Sequence, residues 1–180
     1  MPDDTLLDLA EKKQLTAKLD EQVRRMLRVP RASALVQNFG MQWLQLKRIA
    51  FVSPDGKLFP TFNAKLRRAM VRETELFLES ILREDRSILD LIDTDYTFLN
   101  APLAKHYGIA DTNGNAIGRK PTQPRGRPIR GEKFVRVSLQ DRTRGGLLTQ
   151  ASVLTVTSNP TRTSPVKEQS RNKFPFLNGL

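Results

Sequence analysis

The stretch from Ala64 to Arg83 constrains the fold more than any other part of this sequence. Asn63 precedes it in the position of a helix cap, where its side-chain oxygen can accept a free backbone N–H. Leu66, Ala69, Met70, Phe77, Leu78 and Ile81 recur at the spacing that places them on one face of an α-helix. Glu73, Glu75 and Glu79 interleave with Arg68, Arg72 and Arg83. A favourable i,i+4 pair such as Glu79–Arg83 contributes only about 0.2–0.5 kcal/mol. Packing of the apolar face therefore decides whether this helix forms, and the rest of the chain must cover that face.

The segments on either side also read as helices. Asp3 or Asp4 opens a short first helix through Leu6, Leu7, Leu9 and Ala10. Leu15, Leu19, Val23, Met26 and Leu27 form a stripe on a second helix that Pro30 ends. Pro30 also suits the first turn of a third, where its missing N–H costs nothing, and Leu35, Phe39, Trp43 and Leu46 follow at helical steps with Trp43 as the expected core anchor. Ser53-Pro54-Asp55-Gly56 is a turn signal. Beyond the long helix, Ser87 and Asp90 resemble a capping box opening Ile88–Ile92, and Asn100 caps Ala101–Tyr107 with Pro102 at its start and Gly108 at its end.

After Tyr107 the pattern changes. Residues 110–132 carry Pro121, Pro124 and Pro128 among several glycines and few apolar side chains, and read as a linker. Phe134 to Leu139 alternates apolar and polar and is the best strand candidate. Leu147 to Val156 fits either a helix, through Leu147, Leu148, Ala151 and Leu154, or extended chain, through Val153, Thr155, Val156 and Thr157. The expected fold is mainly α: a helical domain, a basic Gly/Pro-rich linker and a short strand/helix tail.

Charge divides the chain unevenly. Of 30 basic and 19 acidic residues, the first hundred positions hold 16 and 15, so nearly all of the net +11 lies in the last eighty. Its peak is the set Arg119, Lys120, Arg125, Arg127, Arg130, Lys133, Arg136, Arg142 and Arg144, a candidate anion-binding surface opposed only by Glu132 and Asp141. An anionic polysaccharide, nucleic acid or lipid are the partners this charge would suit. Nucleic-acid binders usually add a docking helix or stacking aromatics, and Phe134 is the one aromatic here. A solvated loop is the alternative reading.

The sequence offers little chemistry. The absence of cysteine excludes disulfides, thiolate ligands and covalently attached haem within this chain. No apolar run approaches the ~18 residues needed to cross a bilayer, and the acidic start carries no secretory signal pattern. His106 is the single histidine and lies in the last turn of a short helix, where a cation meets the negative dipole end. Asp85, Asp90, Asp93 and Asp95 crowd one segment without the spacing of a calcium loop. Gly145-Gly146 lacks the frame of a phosphate loop, and Ser152, Ser158 and Ser164 lack a nucleophile elbow. Met26, Met41 and Met70 sit at helical spacing among Leu and Phe, as core filler does rather than haem ligands. These residues assign no catalytic, cofactor or metal site and no enzyme activity.

A family resemblance adds to this. Asn38-Phe39-Gly40-Met41-Gln42-Trp43-Leu44, Ser53 to Pro60, Arg72-Glu73-Thr74-Glu75, Leu82 to Ser87, Asp95 to Asn100 and His106-Tyr107-Gly108-Ile109 carry it, followed by Arg144 to Ser158 and Asn159 to Lys167. Together they resemble planctomycete-type multidomain proteins in which domains of unknown function accompany c-type cytochrome domains. The resemblance implies a helical domain of unknown function over 1–109, the linker over 110–132, the start of a planctomycete cytochrome C-type domain over 133–167 without its haem motif, and a divergent tail over 168–180. It implies a fragment truncated at both ends, with haem c only in missing flanking domains and those domains as partners. An exported or periplasmic location and a part in electron transfer are further expectations of the resemblance.

Overall fold

The computed structural model describes residues 2–140 and 144–158. It is mainly helical, with one small antiparallel sheet. The readings placed on Arg142, on residues 159–167 and on the 168–180 tail lie outside the described residues.

Helix α1, Asp4–Glu11, is capped by Asp3, whose side chain accepts from Leu6 N. Helix α2, Leu19–Arg28, keeps Leu19, Val23 and Met26 exposed and buries Gln22 instead, so its apolar stripe does not face the core. The two helices are joined by Arg25, which reaches both Asp3 carboxylate oxygens at 2.6 and 2.9 Å.

The stretch that follows departs most from expectation. A 3-10 turn, Pro30–Ala32, runs into α3, Ser33–Leu35, then a π-helical segment, Val36–Gly40, then α4, Met41–Trp43. The wide π turn shifts the helical register by a fraction of a turn. The buried line becomes Val36, Gly40, Met41 and Leu44, while Leu35 and Phe39 stay exposed. Trp43 is half-buried against the core's edge and stacks on Phe39, centroids 5.9 Å apart, rather than anchoring the interior. Gly40 allows the close crossing of this segment over the long helix: a Cβ there would stand 2.7 Å from Leu78 Cδ1.

That long helix, α5, spans Ala64–Arg83, with the Asn63 side chain accepting from Leu66 N. Its buried face is Leu66, Ala69, Met70, Glu73, Thr74, Phe77 and Ser80, with Leu78 and Ile81 at the margin. Arg72 pairs with Glu75 at 2.7 Å along its surface. Strand β1, Tyr96–Leu99, pairs antiparallel with β2, Val135–Ser138, in the register Thr97↔Val137 and Leu99↔Val135. Helix α6, Ala101–Tyr107, is capped by Asn100 and closed by Gly108 in the left-handed conformation, φ 72°. Helix α7, Ala151–Thr157, resolves the ambiguous segment in favour of helix and follows a 3-10 turn at Leu147–Thr149.

Strand alternation puts Thr97 and Leu99 on one face of the ribbon and Tyr96 and Phe98 on the other. Two apolar clusters result. One gathers Leu66, Met70, Leu99, Leu103, Val137 and Ala151; the other gathers Met41, Leu46, Phe77, Tyr96, Leu147 and Val153. Helix α5 and helix α7 contribute to both. Residues on either side of position 109 therefore share one core: β1 pairs with β2, and α7 packs on α5.

Residues 110–132 fold back on this core. Bridges form between Ile109 and Ala116 and between Asp111 and Pro128, Thr112 O accepts from Ser138 N, and Gly131 O accepts from Ala101 N. The buried Asp111 carboxylate collects Asn113 N, Asn115 N, Asn115 Nδ2 and Gly126 N. Burial pushes this carboxyl up, but the hydrogen bonds outweigh it and hold Asp111 below the usual carboxylate range. Among the described residues no helix is long and apolar enough to cross a membrane.

Candidate functional site

The long helix carries two polar side chains into its buried face. Glu73 is 1% exposed and Thr74 fully buried, one turn from Met70 and one from Phe77. Thr97 of β1 donates to Glu73 Oε1 and Tyr107 of α6 donates to Oε2, each at 2.6 Å. The Tyr107 hydroxyl in turn accepts from Ala151 N, the first amide of α7, at 2.8 Å. Thr74 donates to Gln150 Oε1 at 2.6 Å and meets the Ser152 hydroxyl at the same distance. Three elements, β1, α6 and α7 with its cap residue, thus converge on two adjacent residues of α5.

Burial pushes the Glu73 carboxyl up to about 7, against the hydrogen bonds from Thr97 and Tyr107 and the Arg144 charge, which favour the ionised form. Burial also drives the Tyr107 phenol well above its usual range, helped by Glu73. Such a carboxyl is a natural acid/base candidate. Access decides against that role. The cavity beside it, lined by Glu73, Thr97, Tyr107, Arg144 and Gln150, measures about 10 Å³. That is no more than one water occupies. Glu73 is a structural junction, with both oxygens engaged.

A larger cleft of about 520 Å³ also has Tyr107 in its lining. Gly108, Ile109, Gly114, Ala116, Arg119, Lys120, Thr122, Gln123, Leu139, Gln140 and Arg144 complete its lining. The Arg144 guanidinium lies over the Tyr107 ring, 4.1 Å from its centroid, and donates to Thr149 O at 3.3 Å.

The candidate basic residues are dispersed. Arg119, Lys120 and Arg144 meet at this cleft. Arg136 is held elsewhere, 3.0 Å from Glu84 and 3.7 Å from the Tyr96 ring centroid, and the Arg86 guanidinium lies 4.8 Å from the same centroid. Arg125, Arg127, Arg130 and Lys133 are exposed on the loop and its edge. Glu132 pairs with Lys65 at 2.6 Å.

The remaining candidates have structural roles. His106 faces its neighbour Tyr107, ring centroids 5.7 Å apart, and partial desolvation together with the Arg144 charge lowers its pKa. Asp90 accepts from Arg86 at 2.6 Å and Asp85 pairs with Arg24 at 2.8 Å. Ser87 caps its 3-10 turn, Ile88–Leu91, by accepting from Leu89 N, without Asp90 closing a box. Gly146 has φ 66° and runs against the Ile92 carbonyl, where a Cβ would stand 2.3 Å from the oxygen. Met41 and Met70 are core residues, whereas Met26 is exposed. Among the described residues no group of three or more His, Asp or Glu side chains is arranged to hold a metal ion.

The junction at Glu73 escaped the sequence reading, which counted that residue with the surface acids Glu75 and Glu79. A signal existed. Glu73 lies three residues after Met70 and four before Phe77, on the apolar stripe itself.

No curated protein and no solved structure matches this chain. A family model does, over residues 1–109, which takes in α1 through α6, including Glu73 and Tyr107. The chain belongs to the PSD4 family, proteins of unknown function (DUF1592).

Proposed function

We propose that this chain is a non-catalytic helical scaffold of an exported, multidomain cytochrome-like protein, serving as an interface for a haem-bearing domain in electron transfer. The observation that carries the interface is the turn after α5. Ile88, Leu89 and Ile92 are 74%, 67% and 64% exposed, three large aliphatic side chains within five residues. Leaving a fully buried aliphatic side chain in water instead forfeits about 1.5–3 kcal/mol. Clustered exposure of this kind marks contact surfaces more often than single scattered residues do. Engagement of both Glu73 oxygens supports the non-catalytic part of the reading, and the resemblance to cytochrome-associated domains supports the identity of the partner.

Haem titration tests the scaffold role. Hemin added to the purified chain should give no saturable Soret band beyond that of hemin mixed with an inert carrier. A saturable, stoichiometric band would contradict the proposal by placing cofactor binding in this chain.

A further inference from the structure

We propose that the cleft lined by Tyr107, Arg119, Lys120 and Arg144 is a binding site for a small organic anion carrying a phosphate or carboxylate group. This stands apart from the scaffold reading and survives its failure.

Three observations carry it. First, the cleft is lined by three cations, Arg119, Lys120 and Arg144, and by no carboxylate among the described residues. The acids nearest it are committed elsewhere: Asp111 accepts from its loop amides, and Glu73, which feels the Arg144 charge, is buried outside the lining with both oxygens engaged by Thr97 and Tyr107. Like charges lining one cleft with no carboxylate in it repel one another, and an anion relieves that repulsion. Second, Arg144 is held in place before any ligand arrives, by its stack on Tyr107 and its bond to Thr149 O. A fixed guanidinium presents its planar fork to carboxylate or phosphate with little further loss of side-chain freedom. Third, the volume of about 520 Å³ suits a small molecule rather than a polymer face. Gln123 supplies a neutral hydrogen-bonding side chain, while Thr122 donates to Gln140 and Gln140 to Asn113 O, so that those two shape the cleft; Leu139 and the Tyr107 ring offer an apolar surface for the body of the ligand.

The other basic residues separate a site from diffuse charge. Arg130 and Lys133 are exposed cations of the same segment and do not line the cleft. The test is a titration of the full isotopically labelled chain with sodium pyrophosphate and, separately, with citrate, in 100 mM salt, read by amide chemical shifts. With either probe, saturable changes are expected at Gly108, Gly114 and Thr122. The R119A/K120A variant should weaken that binding at least tenfold, and R130A/K133A should leave it within twofold. Saturation by pyrophosphate alone assigns a phosphate ligand, and by citrate alone a carboxylate. Circular dichroism identical to the parent confirms that both variants fold. Absence of saturation with both probes, or equal loss in the two variants, would overturn the proposal. So would tight binding of a heparin oligosaccharide weakened equally in both, which would mark a polymer-binding face.

Discussion

Tyr107 donates its phenolic proton to Glu73 Oε2 across 2.6 Å, and this bond ties the last turn of α6 to the middle of α5. Because the Tyr107 hydroxyl oxygen in turn accepts from Ala151 N, Tyr107 also anchors the start of α7, which lies beyond the residues matched by the family model. Replacing Tyr107 with Phe removes both bonds and leaves a buried carboxyl oxygen and a helix N–H without partners. We expect the Y107F protein to lose about 1–3 kcal/mol in chemical denaturation, with unchanged secondary structure at low denaturant.

The burial of Glu73 gives stability a defined pH dependence. Its folded pKa of about 7 lies above the ordinary 4.5 of a free glutamate, so the folded chain binds the proton more tightly than the unfolded chain does. The resulting stabilisation is fully present below about 4.5 and is lost as pH rises towards 7. Its upper bound is roughly 3 kcal/mol. Glu73→Gln keeps the shape, accepts from Tyr107 and donates to Thr97. The variant should show a flatter stability profile than the parent between pH 4.5 and 7 and greater stability above pH 7. A parallel profile in the two proteins would place the pH dependence elsewhere.

The neighbouring pair behaves differently because neither member ionises. Thr74→Val is nearly isosteric but strips the donor from Gln150 Oε1 and the partner from Ser152, all three residues being buried. A loss of about 1–3 kcal/mol is expected by urea titration, without the pH dependence of the Glu73 variant.

Glycine positions provide a paired test of backbone geometry. Gly146 and Gly118 both have positive φ, 66° and 73°, but only at Gly146 does backbone stand where a Cβ would go. Gly118→Ala should cost about 1–2 kcal/mol, the strain of a left-handed non-glycine residue. Gly146→Ala must in addition displace the Ile92 carbonyl, and should lower the thermal midpoint well beyond the Gly118 variant.

Much of this architecture is written locally. Asn63, Asn100 and Gly108 mark helix ends that the structure reproduces, because a cap depends on a few adjacent residues. The π turn at Val36–Gly40 is different. Its register shift answers to the passage of Gly40 over Leu78, a contact made with a distant helix, and no periodicity in the segment announces it. Strand β1 was missed for a similar reason: Tyr96–Leu99 is only four residues long, and its partner lies some forty positions away. Of the nine cations singled out, the sequence could not separate Arg119, Lys120 and Arg144, which meet at one cleft, from Arg136, which a carboxylate neutralises. Charge is countable along a chain, whereas its pairing depends on the fold.

Sedimentation velocity on a mixture of this chain with a c-type cytochrome domain of the kind the proposed scaffold role calls for bears most closely on that role. We expect a one-to-one complex, detected at the Soret wavelength, that I88D/L89D/I92D abolishes while the variant's thermal midpoint stays within a few degrees of the parent. Independent sedimentation of the two proteins, or a complex that the triple variant forms equally well, would contradict the interface at Ile88, Leu89 and Ile92.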